Sequence, residues 1–167
     1  MKTDLTSFEG FAPNSRTWVY QTSRNLTESE SMELKQLAGG FAAEWKSHGA
    51  PLKAAADVLY NRFLVMMVDE DAGSASGCSI DSSVQQIRSI QDKLNINLLD
   101  RMDLAFLNSD GGLETVHINK ISEAFEHDAL KEDSIVFNNM VTSKAELETG
   151  WRIPLMMSWA ASRIKVA

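Results

Sequence analysis

The sequence is short of positive charge and of long apolar runs. Its 167 residues include 16 Lys and Arg against 23 Asp and Glu, a net charge of −7. Because binding to nucleic acid requires a basic face that neutralises phosphates, this balance argues against a nucleic-acid partner. The longest strictly apolar run, residues 63–68, is far below the roughly 20 residues that span a bilayer. The first residues also lack the apolar core of a signal peptide. We therefore expect no membrane association.

Cysteine is equally scarce, since Cys78 is the one thiol in the chain. A single cysteine forms neither an internal disulfide nor a zinc site of paired cysteines, and it fits a reducing compartment. We therefore expect a cytoplasmic protein. The length suits one domain around a single core.

Local patterns predict an α+β fold, with a mixed or mainly antiparallel sheet flanked by helices. Residues 1–16 show no periodicity and predict a loosely ordered lead-in to a single domain of residues 17–167. The apolar run at residues 63–68 predicts a central strand covered on both faces. Further strands are expected at residues 17–22, before a tight turn around Asn61, and at 134–138. Strands at 103–108 and 113–118 are predicted to form a hairpin.

Helix starts are predicted from capping patterns. Thr27, Ser82 and Ser143 are each followed three residues later by Glu or Gln, which is typical of a capping box. Asn119 is expected to cap a further helix, and Asn95 is expected to end the helix that begins at Ser82.

The nucleotide-binding motifs fail on inspection. No G-x-x-x-x-G-K-[ST] occurs, and the loop from Gly73 has three residues between its glycines and Cys78 where the phosphate-binding lysine belongs. Residues 73–77 also fail as a nucleophile elbow, because the central residue is Ala75. The sequence therefore excludes a P-loop ATPase, and the chain has no nucleotide cofactor motif.

Four segments carry a resemblance to a known group of proteins: WKSHG at 45–49, FLVMMVDE at 63–70, SGCSID at 76–81 and SW at 158–159. They resemble an uncharacterised bacterial family whose members often carry the label "ABC transporter ATPase". The likeness extends over residues 18–159. It implies no catalytic role for any residue, and the missing phosphate loop contradicts the label.

Cys78 is the first candidate for chemistry. The start of a helix stabilises a thiolate through its dipole and free N–H groups, and His48 is the candidate base, with His117 or His127 as alternatives. The carboxylates of residues 69–71 oppose ionisation of the thiol. The alternative is a small residue that packs the loop against the sheet.

The acidic strand end is the second candidate. Asp69 and Asp71 point to the same side of a strand and are expected to share a divalent metal, Mg²⁺ or Mn²⁺, with His48 as an added ligand. A solvated entrance to the loop is the alternative interpretation.

The loop of residues 73–83 is the third candidate, with five serines and two glycines leading into a helix. Such a start is a ready anion site. The predicted ligand-binding residues are Ser76, Gly77, Ser79, Asp81 and Arg101, with Lys53, Arg62 or Arg163 as alternative cations.

Two functions remain open. The leading interpretation is a site that binds a small anionic molecule beside Cys78; in an enzyme, Cys78 is the nucleophile, His48 the base, and the N–H groups of residues 79–81 the anion donors. The alternative is a non-catalytic interaction module or homodimer in which the loop is structural. Its supporting feature is a density of apolar residues near the C-terminus: Leu155, Met156, Met157 and Trp159.

Overall fold

A computed structural model describes residues 2–165 of the chain. The helices are α1 (Glu28–Glu44), α2 (Gly77–Leu94), α3 (Ile121–Glu126) and α4 (Lys144–Gly150). The strands are β1 (Arg16–Gln21), β2 (Lys46–Ser47), β3 (Ala50–Pro51), β4 (Ala54–Leu59), β5 (Phe63–Val68), β6 (Asp103–Leu107), β7 (Leu113–His117), β8 (Ile135–Phe137) and β9 (Arg152–Pro154). The paired strands are antiparallel, so the predicted α+β class with a mainly antiparallel sheet is confirmed.

Two compact units make up the described chain. The larger unit consists of Asp4–Asp100 and Asn139–Glu148; the smaller unit consists of residues 101–138 and 149–165, with residues 2–3. The single domain of residues 17–167 stays a prediction.

The larger unit is built on a three-stranded sheet in the order β1-β5-β4. All six residues of β5 are buried, which confirms the predicted central strand. Apolar side chains of α1 and α2 pack with those of the sheet in one cluster that includes Leu34, Leu64 and Ile87. Tyr60 and Asn61 both adopt positive φ in the tight turn between β4 and β5, where the sequence placed a turn.

The start of α1 follows its sequence signal. Thr27 Oγ1 accepts from the Glu30 N–H, and a Glu30 carboxylate oxygen accepts from the Thr27 N–H, so the capping box is complete. At α4, Ser143 Oγ accepts from the Glu146 N–H, but the Glu146 carboxylate binds the Thr142 N–H instead of returning to Ser143.

The start of α2 was predicted too late. The helix begins at Gly77, with Ser76 as its N-cap, and it continues through Ser82 without interruption. Ser76 provides what a cap needs, an extended backbone and a hydroxyl that accepts from the Ser79 N–H, so the later capping pattern is not used. Asn95 ends the helix in the left-handed conformation, as expected.

The segment predicted as a loose lead-in makes defined contacts with the larger unit. Residues 6–8 form one turn of 3₁₀ helix, and Phe8 is fully buried. The Lys144 ammonium donates to the carbonyl oxygens of Phe8 and Phe11, at 2.9 and 2.8 Å. Hydrogen bonds from one lysine therefore hold this segment at two points.

The smaller unit contains a four-stranded sheet in the order β7-β6-β8-β9. The predicted hairpin of β6 and β7 is present. Asn119 does not cap α3: a 3₁₀ turn at Ile118–Lys120 comes first, and the His117 ring accepts the Asn119 N–H at 3.2 Å. Leu104, Val136 and Leu155 contribute to a separate buried cluster. Among residues 2–165, no helix has both the length and the apolar character needed to cross a membrane.

Candidate functional site

Asp69 directly follows the central strand β5 and is buried. Its carboxylate accepts from the Ala12 N–H and the Lys53 ammonium, both at 3.2 Å, and from the Asp71 N–H at 3.1 Å. Burial raises the pKa of Asp69, but the bonds from Ala12, Lys53 and Asp71 outweigh it and hold the pKa below its usual value. Asp69 therefore stays ionised and holds the backbone of Ala12 beside the end of β5.

The two carboxylates of the predicted metal pair, Asp69 and Asp71, have different surroundings, and a metal there stays a prediction. Both Asp69 oxygens already accept hydrogen bonds, while the Asp71 side chain is exposed and contributes only its backbone N–H to Asp69. The third carboxylate, Glu70, lies 3.8 Å from the Arg16 guanidinium. Within residues 2–165, no group of three or more His, Cys, Asp or Glu side chains is placed to hold a metal ion.

Cys78 lies in the first turn of α2, and its side chain is exposed. The helix start uses Ser76 twice, because its hydroxyl accepts the Ser79 N–H and its carbonyl accepts the Ile80 N–H. These bonds occupy two of the N–H groups that the sequence nominated as anion donors. The free donors precede Ser79 in the same turn: the Gly77 and Cys78 N–H groups have no acceptor among residues 2–165.

The other predicted binding residues divide by position. Ser76 and Ser79 build the helix start, and the Ser79 hydroxyl donates to the Ser76 carbonyl, so it is already engaged. Asp81 is exposed on the next turn. Arg101 is exposed and belongs to the smaller unit.

His48 lies at the tip of the hairpin formed by β2 and β3. His48 and Gly49 have φ of 50° and 79°, the pair of positive values that a two-residue type I′ turn requires. The histidine is exposed. The alternative bases, His117 and His127, belong to the smaller unit.

Trp45 joins this hairpin to the first turn of α2. Its indole N–H donates to the Ser79 carbonyl at 2.8 Å in a buried hydrogen bond, and β2 itself contacts α2. Trp45 precedes His48 by three residues, and Ser79 follows Cys78 directly. The structure therefore brings the segment that carries the predicted base to the helix turn that carries the predicted nucleophile.

Trp45 was not predicted as part of the site. From the sequence alone we expect the tryptophans to fill the core, and the Trp45 ring does pack there, 5.7 Å from Trp18 and 5.3 Å from Phe41 between centroids. What that assignment missed is the indole N–H, which a buried tryptophan usually pairs. Its place at the start of the WKSHG segment was the available signal.

No protein-family model, no curated protein and no solved structure matches the chain significantly. The resemblance to the bacterial family stays a prediction.

Proposed function

We propose that the first turn of α2 binds a small oxyanion. Cys78 lines the site as the nucleophile, and His48 is the base. The observation that carries the proposal is the Trp45–Ser79 hydrogen bond, because it fixes the segment leading to His48 against the turn that contains Cys78. The proposed setting is the cytoplasm, where one unpaired thiol stays reduced.

The backbone of the helix start supports this ligand class. The Gly77 and Cys78 N–H groups are free, and they open a helix of 18 residues. Free N–H groups and the helix dipole together favour a negative group at this end. No acidic side chain lies in the first turn to compete for that position.

Two of the three carboxylates at residues 69–71 are paired with cations, so their repulsion of a bound anion is weakened. Asp69 is paired with Lys53 and Glu70 with Arg16, so two of the three acidic residues after β5 have a cation beside them. The local balance therefore permits a small anion.

Alkylation of Cys78 with iodoacetamide at pH 7 tests the proposal, with inorganic phosphate as the probe. We expect saturable protection of the thiol by phosphate, because an anion on the Gly77 and Cys78 N–H groups covers it. We also expect His48→Gln to slow alkylation severalfold in the absence of phosphate, because the base that assists thiolate formation is removed.

His127→Gln is the matched control, since His127 is also exposed but belongs to the smaller unit. Its alkylation rate should equal that of the unmodified protein. Equal rates with phosphate and with chloride at the same ionic strength would reject the anion site. An unchanged rate in His48→Gln would remove His48 from it.

A second candidate function, a non-catalytic interaction module, is favoured by two methionines. Met156 and Met157 are 49% and 75% exposed, whereas the adjacent Leu155 is fully buried and Trp159 packs against the core of the smaller unit. The apolar C-terminal segment thus divides into core residues and an exposed pair. In this alternative that pair contacts a partner or a second copy.

A further inference from the structure

We propose that the β2–β3 hairpin, residues 46–51, is a flap that opens from α2 while the rest of the larger unit stays folded. The proposal goes beyond anion binding and does not depend on it. It rests on the size of the hairpin, on how it is attached, and on one buried hydroxyl group.

Few interactions within the hairpin stabilise its closed position. Its two strands form just two residue pairs, Lys46 with Pro51 and Ser47 with Ala50, and they make a separate sheet. Both residues of β3, and Lys46 on β2, are exposed. An isolated two-stranded hairpin is marginal in water, so its position depends on its attachments.

One hydrogen bond closes the base of the hairpin, and a second joins that base to α2. The Leu52 N–H donates to the Trp45 carbonyl at 2.9 Å, and the Trp45 indole donates to the Ser79 carbonyl at 2.8 Å. Trp45 and Leu52 are themselves buried. Opening of residues 46–51 breaks these two bonds, so the Leu52 N–H and the Ser79 carbonyl lose their partners when the flap opens.

Ser47 works against closure. The residue is 7% exposed, and its buried hydroxyl has no hydrogen-bond partner among residues 2–165. Because side chains alternate along an extended strand, Ser47 lies on the same side as Trp45, the side that faces α2. A buried hydroxyl without a partner destabilises the state that buries it, and opening returns the group to water.

Opening of the flap also changes what surrounds Cys78. The strand β2 packs against α2, and Ser79, next to Cys78, is buried and bonded to Trp45. When the flap lifts, the first turn of α2 loses this cover on one side. The flap therefore controls access to that turn.

Amide hydrogen exchange of Leu52, followed by NMR in phosphate-free buffer, measures the opening. We expect Ser47→Ala to slow this exchange about tenfold, because the alanine is buried without an unpaired hydroxyl. Trp45→Phe should accelerate it, since the phenyl ring keeps the packing but loses the bond to Ser79.

Ser31→Ala is the matched control. Ser31 is also buried with an unpartnered hydroxyl, but it lies on α1. It should leave Leu52 exchange unchanged. If Ser31→Ala and Ser47→Ala slow the exchange equally, the hairpin opens only when the whole unit unfolds, and the flap is rejected. If neither slows it, the Ser47 hydroxyl does not drive opening, and the proposal is again overturned. Neither outcome bears on phosphate protection of Cys78.

Discussion

Glu30 shows how much one side chain organises at the start of α1. Its carboxylate forms a two-pronged contact with the Arg24 guanidinium, at 2.7 and 2.9 Å, and accepts the Thr27 N–H at 2.9 Å. The Arg24 hydrogen bonds, followed by the Thr27 N–H, lower the pKa of Glu30 from 4.5 to about 2. One carboxylate thus joins the preceding loop to the helix.

This arrangement predicts an acid-dependent loss of stability. Because the pKa of Glu30 is lower in the folded state, its contribution is fully present above pH 4.5 and is lost as the pH falls from 4.5 to about 2. We expect Glu30→Gln to lower the urea midpoint at pH 7, with a difference from the unmodified protein that shrinks across this range. Glu33→Gln, an exposed change on the same helix, should show no such trend. A difference that is constant with pH would contradict the assignment.

Local chemistry explains which single residues were predictable. Thr27, Asn61 and Asn95 act through neighbours within a few positions, so their capping and turn roles could be predicted from the sequence. Ser76 was missed because its cap lacks the Glu or Gln partner by which a capping box is recognised. The hydrogen bonds of Asp69 were not predicted for a different reason: its partners Ala12 and Lys53 are 57 and 16 residues away.

At the scale of elements, β4 is an edge strand that a charged side chain protects against pairing with another chain. Within the described chain it pairs with β5 alone, so its other side carries backbone groups that can recruit another strand. The Asp57 carboxylate accepts the Val58 N–H at 2.8 Å, lies 2.8 Å from the Lys35 ammonium, and accepts from the Ser7 hydroxyl. A charged side chain therefore occupies part of this edge.

Asp57→Ala should weaken this protection. We expect a loss of about 1 kcal/mol in unfolding free energy, from the Lys35 pair and the hydrogen bonds, together with faster concentration-dependent aggregation, measured by light scattering. Asp92→Ala removes the same charge from an exposed position on α2 and serves as the control. Equal aggregation of the two variants would show that net charge, rather than the edge, is responsible.

The helices and strands were easier to predict than the tertiary contacts between them. The apolar run of β5 and the capping pattern at the start of α1 depend on residues close together in sequence, so both could be derived. The Trp45–Ser79 bond spans 34 residues, and no local pattern contains it. The candidate site depends on that contact, so the sequence indicated the loop of Cys78 but not what lies against it.

At the scale of the whole molecule, the exposed methionines separate the two candidate functions. If Met156 and Met157 form an interface between copies, the mass measured by sedimentation equilibrium should rise with concentration, and Met157→Glu should abolish the rise. Met32→Glu makes the same change at a methionine on α1 that is 64% exposed, and it should leave association intact. A concentration-independent monomer mass would count against the homodimer.

The division of the chain has a consequence for how the protein is made. The larger unit closes with residues 139–148, where the Thr17 N–H donates to the Thr142 carbonyl and the Lys144 N–H to the Ser15 carbonyl. During synthesis, β1 therefore lacks its hydrogen bonds to residues 142–144 until the 38 residues of Arg101–Asn138 have been translated. Until then β1 has an unpaired edge. A nascent chain stalled before residue 139 should thus be more sensitive to proteases within residues 4–21 than one released after residue 148.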